Sequence, residues 1–194
     1  MRARLSGRRS ILLGTVGLAA AAAGYGAARL AETVVRPGMP ISDLTPGKAV
    51  SGPIGFGLAG LGSARFVPAS RRGAPFLLHV WATWCSPCLH ELPGLAAFMK
   101  AWGPDCPVVP VAVSSGSPEE IHAFLERNDV TGLPVWAVVE DDLKAWCGDR
   151  ARAIPVTFLI DDAGCIRATA EGALDWAAPG APAALRRLFA AMSA

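Results

Sequence analysis

Two cysteines separated by two residues, in the stretch 84–88 (WCSPC), constrain this chain more than any other feature. The apolar run 76–81 before them has the length and composition of a buried β-strand. A helix is predicted to run from this motif to Trp102, because apolar residues recur there at helical spacing. Cys85 then lies at the N-terminus of a helix, where unpaired N–H groups and the helix dipole favour a thiolate. We therefore predict that Cys85 is the attacking thiol, with a pKa below that of ordinary cysteine.

Cys88 falls in the first turn of the same helix, so it is placed to close a small disulfide ring with Cys85 and to resolve mixed disulfides. A structural zinc site and a purely structural disulfide are the alternatives. Zinc needs four ligands, and the sequence has no second C-x-x-C and no H-x-x-x-H pattern. His90 lies two residues from Cys88, on a different face of the helix. A purely structural disulfide fits poorly with a strand end and a following helical proline.

Residues 1–28 are predicted to be a signal peptide or a signal anchor. Four arginines occur in the first ten residues, and 18 uncharged residues follow at 11–28, a pattern typical of export signals. Cleavage of this segment and its retention as an inner-membrane anchor both stay open. The positive-inside rule places the rest of the chain in the periplasm or another extracytoplasmic space.

The rest of the chain predicts an α/β protein with one folded domain. Residues 29–73 carry many Gly and Pro and are predicted to be a linker with short strands, and residues 74–194 form the domain. A central buried strand is predicted at 76–81 and further strands at 108–113 and 133–139, with helices between them. Residues 156–160 and 165–170 are predicted to form a hairpin, which a last helix follows. This order favours a central mixed sheet flanked by helices.

Composition and charge exclude several functions. Hydrophobic residues make up 52% of the chain and charged residues 18%, which excludes a disordered polyelectrolyte. The net charge is +2, but without residues 1–28 there are 14 basic against 16 acidic residues. The domain therefore lacks the basic excess of a nucleic-acid-binding protein. No Gly-rich phosphate loop follows a strand, so no flavin or nicotinamide cofactor is expected and the dithiol is the redox centre.

The five cysteines cannot all pair within one chain. If a second disulfide forms, Cys147 with Cys165 is the preferred pair, because both flank the predicted strand 156–160. The alternative, that these two and Cys106 are small core residues, is favoured.

At two places the sequence resembles a known family. The run 80–88 (VWATWCSPC), followed by Glu91 and Pro93, is similar to the membrane-anchored thioredoxin-like thiol-disulfide reductases of bacteria, the TlpA/ResA group. The resemblance continues at 154–161 (IPVTFLID), which is similar to the segment that carries the family's cis-proline. It covers roughly residues 74–192.

This resemblance implies a thioredoxin fold in which Cys85 is the nucleophile, Cys88 the resolving thiol and Pro155 faces the pair. It also implies that Glu91 is the acid close to the active site, although from the sequence alone Glu91 would be a solvated helix residue. The residues expected to contact the substrate are Trp84, Ser86, Pro87 and Ile154.

His79 departs from the family pattern, since thioredoxins carry Asp and this group often carries Asn at its position. On the strand it points to the opposite face from Leu78 and Val80. An imidazole can accept the Cys88 proton near neutral pH. A buried neutral His bonded to backbone is the alternative. A second departure is Arg152-Ala153 before Ile154, where a Gly is common.

These features predict an extracytoplasmic, monomeric thiol-disulfide oxidoreductase that reduces protein disulfides. By family analogy its substrates are apocytochrome c cysteines or the thiols of a copper-loading protein. Because an export compartment is oxidising, an integral-membrane electron donor must re-reduce the dithiol. The second hypothesis is a copper metallochaperone that holds Cu(I) through the same two thiolates. It needs a third ligand, for which the candidates are His79, His90 and His122.

Overall fold

The computed structural model describes residues 38–71 and 73–192. The signal segment predicted for 1–28 and the first part of the predicted linker lie outside these ranges. Within them, no helix combines the length and the apolar character that a bilayer-spanning segment requires.

A seven-stranded mixed sheet forms the centre of the described chain. The strands are β1 (Leu58–Ala59), β2 (Arg65–Phe66), β3 (Phe76–Trp81), β4 (Val108–Val113), β5 (Ala137–Val138), β6 (Val156–Ile160) and β7 (Ile166–Glu171). Their order across the sheet is β2-β1-β5-β4-β3-β6-β7. The β3–β4 and β4–β5 pairs are parallel, and the other pairs are antiparallel. The predicted mixed sheet is therefore confirmed, with short N-terminal strands added at one edge.

Helices cover both faces of this sheet. They are α1 (Ser86–Trp102), α2 (Pro118–Arg127), α3 (Glu140–Cys147) and α4 (Ala181–Ala190). Helices α1, α2 and α4 pack on one face, whereas α3 and residues 54–58 pack on the other. Alternation along β3 separates the two cores, since Leu77 and Trp81 belong to the first and Leu78 and Val80 to the second. His79 therefore points away from Leu78 and Val80, toward the side of the sheet that α1 covers.

Helix α1 begins at the cysteine motif because the motif supplies its cap. The Cys85 sulfur accepts a hydrogen bond from the Cys88 backbone N–H at 3.3 Å. Pro87 lies in the first turn, where its missing N–H removes no helical hydrogen bond. The helix continues through the exposed Pro93 to Trp102.

Strand β5 is much shorter than the predicted strand at 133–139. Pro134 cannot donate to a ladder, and pairing with β4 starts only at Ala137. This short strand also accommodates Pro110 inside β4. The Ala112 N–H donates to the Trp136 carbonyl, on the β5 side of β4. Because the backbone N–H groups of a strand point alternately to its two sides, the nitrogen of Pro110 faces the β5 side as well. No described strand pairs with β4 there, so the missing donor leaves no acceptor unpaired in the ladder.

Candidate active site

The redox motif lies where β3 leads into α1. Cys85 and Cys88 form a disulfide with their Cα atoms 5.3 Å apart. Cys85 is 4% exposed and Cys88 is fully buried. Cys85 is the N-cap residue of α1 and Cys88 lies in its first turn. Both cysteines thus lie at the helix N-terminus, with Cys88 the more deeply buried of the two.

The segment before β6 contacts this cysteine pair. The Ile154–Pro155 bond is cis, and the Ile154 carbonyl oxygen lies 3.6 Å from the Cys85 sulfur. In the disulfide that sulfur carries no proton, so the contact becomes a hydrogen bond only when Cys85 is a thiol. The structure thus places the Ile154 carbonyl, which precedes the cis bond to Pro155, beside Cys85.

A buried carboxylate and a buried imidazole meet next to the motif. Glu91 lies one turn along α1 from Cys88, a spacing that puts β-carbons about 5–6 Å apart. Its Oε1 is 3.2 Å from His79 Nε2, with the two side chains 3% and 0% exposed. Neither atom has a hydrogen-bond partner elsewhere in the described residues. Among the described residues, these two atoms therefore have only each other as a polar partner.

The other atoms of this pair indicate its proton arrangement. His79 Nδ1 lies 2.9 Å from Thr157 Oγ1, and Thr157 is its register partner across β3 and β6. A neutral imidazole has one donor and one acceptor nitrogen. If Glu91 is ionised, Nε2 carries the proton that faces it, and the Thr157 hydroxyl donates to Nδ1. This arrangement satisfies all three side chains.

The second oxygen of Glu91 is held by residues far away in the sequence. Its Oε2 accepts hydrogen bonds from the Leu174 backbone N–H at 2.9 Å and from Trp176 Nε1 at 3.2 Å. The Trp176 ring also meets the His79 ring edge-on, with centroids 5.5 Å apart. A buried carboxylate requires such donors. Glu91 is thus not the solvated helix residue that the sequence alone suggests.

Sequence reasoning missed three residues of this arrangement. Thr157 could have been found, because it is the polar residue within the apolar strand 156–160. Leu174 and Trp176 carry no such signal, since they reach Glu91 only through the tertiary fold.

The expected substrate-contacting residues surround the motif on the protein surface. Trp84 is 64% exposed, and its Nε1 donates to the Ser114 carbonyl at 2.9 Å. Ser86 and Pro87 are exposed on the first turn of α1. Next to Cys85 there are thus an exposed ring from Trp84, its chain neighbour, and a backbone carbonyl from Ile154.

A cavity of about 320 Å³ opens beside Trp84 and Ile154, and we refer to it as the groove. Its apolar lining consists of Val80, Val113, Leu143, Ala151, Ala153 and Ile154. Its polar lining is Ser114, Glu140, Lys144 and Arg152. The Lys144 ammonium and the Ser114 hydroxyl, both bonded to Glu140, hold the pKa of that carboxyl below its ordinary value. The groove therefore combines an apolar interior with a charged rim.

The remaining three cysteines lie outside the C-x-x-C motif. Cys106 and Cys147 are buried, and burial raises the pKa of both thiols. No disulfide joins Cys147 to Cys165, so the preferred second pair does not form.

The candidate third ligands for copper do not gather at the cysteines. His90 Nδ1 lies 2.8 Å from the Ser86 carbonyl, and His122 faces Glu126 along α2 at 3.4 Å. His79 faces Glu91 and Thr157 instead. Among the residues with described positions, no group of three potential metal ligands occurs. No observation therefore favours the metallochaperone alternative.

Comparison with solved structures identifies the class of fold. The pneumococcal exposed lipoprotein thioredoxin Etrx1 from Streptococcus pneumoniae is 26% identical to this chain, with a TM-score of 0.53. The match covers 69% of this chain and 96% of the other. The protein has a thioredoxin fold, as the sequence predicts.

Comparison of sequences then identifies the family. The sequence model of the AhpC/TSA family matches residues 64–169, and the chain belongs to this family. The thiol:disulfide interchange protein DsbE of Xylella fastidiosa is 36% identical over 104 residues, which are 53% of this chain and 50% of that protein. The thiol-disulfide oxidoreductase ResA of Geobacillus kaustophilus is 30% identical over 107 residues, 53% of this chain and 58% of that protein. The resemblance to the TlpA/ResA group is confirmed, although the chain spans only about half the length of these relatives.

Proposed function

We propose that this protein is a thiol-disulfide oxidoreductase that uses Cys85 and Cys88. The observation that carries the proposal is the disulfide at the N-terminus of α1, next to the Ile154 carbonyl. In the reducing direction, the Cys85 thiolate attacks a substrate disulfide, forms a mixed disulfide and releases one substrate thiolate. The Cys88 thiolate then attacks the Cys85 sulfur, which closes the Cys85–Cys88 disulfide and releases the second substrate thiolate. Two electrons pass to the substrate, and its thiolates take up the two protons that the cysteine pair gives up.

The buried pair of Glu91 and His79 supports the second step. Cys88 has no exposed surface, so solvent cannot readily remove its proton. Glu91 is the carboxylate one turn away on α1, and His79 stands 3.2 Å beyond it. We propose that these two residues receive the Cys88 proton and that His79 thereby takes part in resolution.

The groove supports recognition of a protein substrate. A substrate cysteine bonded to Cys85 lies next to the Ile154 carbonyl, and Trp84 and Ile154 both line the groove. We propose that the groove receives an apolar side chain next to that cysteine, because its interior is apolar.

We further propose that electrons flow from this protein to its substrate outside the cytoplasm. The arginine cluster and the uncharged run 11–28 support export, with the segment cleaved or kept as an inner-membrane anchor. By analogy with the TlpA/ResA group, the substrates are apocytochrome c cysteines or the thiols of a copper-loading protein. An integral-membrane electron donor returns the dithiol to its reduced state, and the protein acts as a monomer.

Equilibration of the purified protein with glutathione buffers of graded composition tests this function. We expect a reversible Cys85–Cys88 couple with a potential more reducing than the glutathione buffer. Cys106→Ala, which changes a cysteine outside the site, should leave the couple unchanged. A pair that stays oxidised in all buffers, or protein that retains about one copper per chain, would contradict the proposal.

A further inference from the structure

The chain that leads into the domain is bonded to the segment that holds Glu91. Met39 N–H donates to the Ala173 carbonyl at 2.9 Å, and Asp175 N–H donates to the Met39 carbonyl at 2.9 Å. Met39 and Leu174 thereby form an isolated parallel β-bridge. Residues 38–39 therefore add a backbone contact to the segment 173–176, which follows β7.

Gly38 permits this contact because it has no side chain. A β-carbon at Gly38 would lie 2.5 Å from the Leu174 carbonyl carbon and 2.7 Å from the Ala173 oxygen. Both are backbone atoms, so no side chain can rotate away to make room. A larger residue at position 38 therefore requires the backbone at 38 and the segment 173–176 to move apart, which disrupts the bridge.

The same segment supplies the donors to the carboxylate. The Leu174 N–H and the Trp176 indole both donate to Glu91 Oε2. We infer that Gly38 and Met39 are positioning residues, which act through the segment 173–176 to hold the carboxylate of Glu91 in place. The inference rests on the proposed role of Glu91 in resolution by Cys88.

The expected effect follows from hydrogen bonding to a charged group. A donor to a carboxylate stabilises the ionised form relative to the acid. If the Leu174 donor moves away, the ionised form of Glu91 loses one of the two hydrogen bonds on its Oε2 atom. In the described residues the groups that face this carboxylate are His79 on β3, the two donors of the segment 173–176, and Cys88 one turn away on α1. The step that uses Glu91 to deprotonate Cys88 should therefore shift to higher pH.

The experiment follows the reduced full-length protein after mixing with a substoichiometric amount of dithiobis(nitrobenzoate). The first nitrobenzoate thiolate reports attack by Cys85, and the second reports resolution by Cys88. In Gly38→Ala we expect the pH midpoint of the second phase to rise by about one unit, as for the loss of one hydrogen bond to a charged group. The first phase should stay unchanged. Met39→Pro, which removes the donor to Ala173 without adding a side chain at 38, should shift the second phase in the same direction.

The controls separate this inference from the proposed function. Gly55→Ala adds a β-carbon where no atom lies within 4 Å, and it should keep the wild-type midpoint. In a Glu91→Gln background, Gly38→Ala should cause no further shift. If wild-type protein shows both phases but Gly38→Ala and Met39→Pro only lower thermal stability and keep the midpoint, the positioning role is wrong. If wild-type protein shows no second phase, the proposed function itself fails.

Discussion

Cys85 and Cys88 share one disulfide but differ in their surroundings, and this difference predicts their order of reaction. After reduction, Cys85 lies at the helix N-terminus, which stabilises a thiolate, while Cys88 stays fully buried. Iodoacetamide at neutral pH should therefore modify Cys85 first. Cys85→Ser should abolish attack on disulfides, and Cys88→Ser should accumulate mixed disulfides on Cys85, both detectable by mass spectrometry. Modification of Cys88 before Cys85 would reverse the assignment.

Substitution of His79 should impair only the second step, in which Cys88 resolves the mixed disulfide. His79→Leu removes the group that faces Glu91 Oε1 at 3.2 Å, so the relay for the Cys88 proton is lost. Resolution should slow by about 10²-fold, the lower range for general acid–base catalysis, and attack by Cys85 should stay nearly intact. The two phases of nitrobenzoate release measure both steps between pH 5 and 8. His79→Gln keeps a hydrogen-bonding side chain but removes the imidazole, so wild-type resolution in that variant would show that a hydrogen bond to Glu91 suffices and that His79 relays no proton.

The buried thiols predict that the free energy of unfolding falls at alkaline pH. Burial raises the pKa of Cys106 and Cys147, so the folded protein favours their protonated forms. Their contribution to stability is complete below the unfolded thiol pKa, about 8.5, and is lost as pH rises through the higher folded pKa. The free energy of unfolding of the oxidised protein should therefore fall above about pH 8.5. Urea titrations from pH 7 to 10 test this, and Cys106→Ala should flatten the decline.

At the scale of the elements, the parts that the sequence predicts well are those determined locally. Strands β3, β4 and β6 match their predicted bounds because each is a continuous apolar run buried on both faces. Strand β5 is shorter than the strand predicted at 133–139 because Pro134 prevents pairing at the start of this apolar run. The C-x-x-C motif carries its own cap and helix, so the place of both cysteines is predictable. The burial of Glu91 is not, because its donors come from residues 174 and 176.

If the groove between β3, α3 and the segment before β6 binds protein substrates, a substitution that fills it should weaken the binding of these substrates selectively. Ala153 is exposed and lines this groove, so Ala153→Phe should fill part of its volume. We expect KM for a cysteine-containing peptide disulfide to rise about tenfold, the effect of losing one apolar contact, with little change for oxidised glutathione. Ala97→Phe, on the exposed face of α1, is the matched control. Equal effects on both substrates would argue against the groove as a binding site for peptides.

At the scale of the whole molecule, the potential of the cysteine pair is linked to the stability of the fold. Reduction and unfolding form a closed thermodynamic cycle. The oxidised and the reduced protein therefore differ in their free energy of unfolding. This difference, oxidised minus reduced, is proportional to the reduction potential of the pair in the unfolded chain minus its reduction potential in the folded chain. For this two-electron couple, 30 mV corresponds to about 1.4 kcal/mol. We expect a pair that donates electrons to have a lower reduction potential in the folded chain than in the unfolded chain. The oxidised protein is then more stable against unfolding than the reduced protein.

The structure contains opposing influences on this balance. The helix N-terminus favours the reduced state by stabilising a Cys85 thiolate. The burial of Cys88 and the nearby Glu91 carboxylate disfavour a second negative charge. Because the proposed direction of electron flow is toward the substrate, we expect the second influence to dominate.

The oxidised protein should therefore unfold at a higher guanidinium concentration than the reduced protein, and Glu91→Gln should bring the two midpoints closer together by relieving the repulsion. Parallel titrations with and without dithiothreitol measure the difference. Cys85→Ser cannot form the disulfide, so its midpoints should coincide under both conditions, which checks that Cys106, Cys147 and Cys165 do not contribute. A reduced wild-type protein more stable than the oxidised one would make the pair an oxidant and reverse the proposed direction of electron flow.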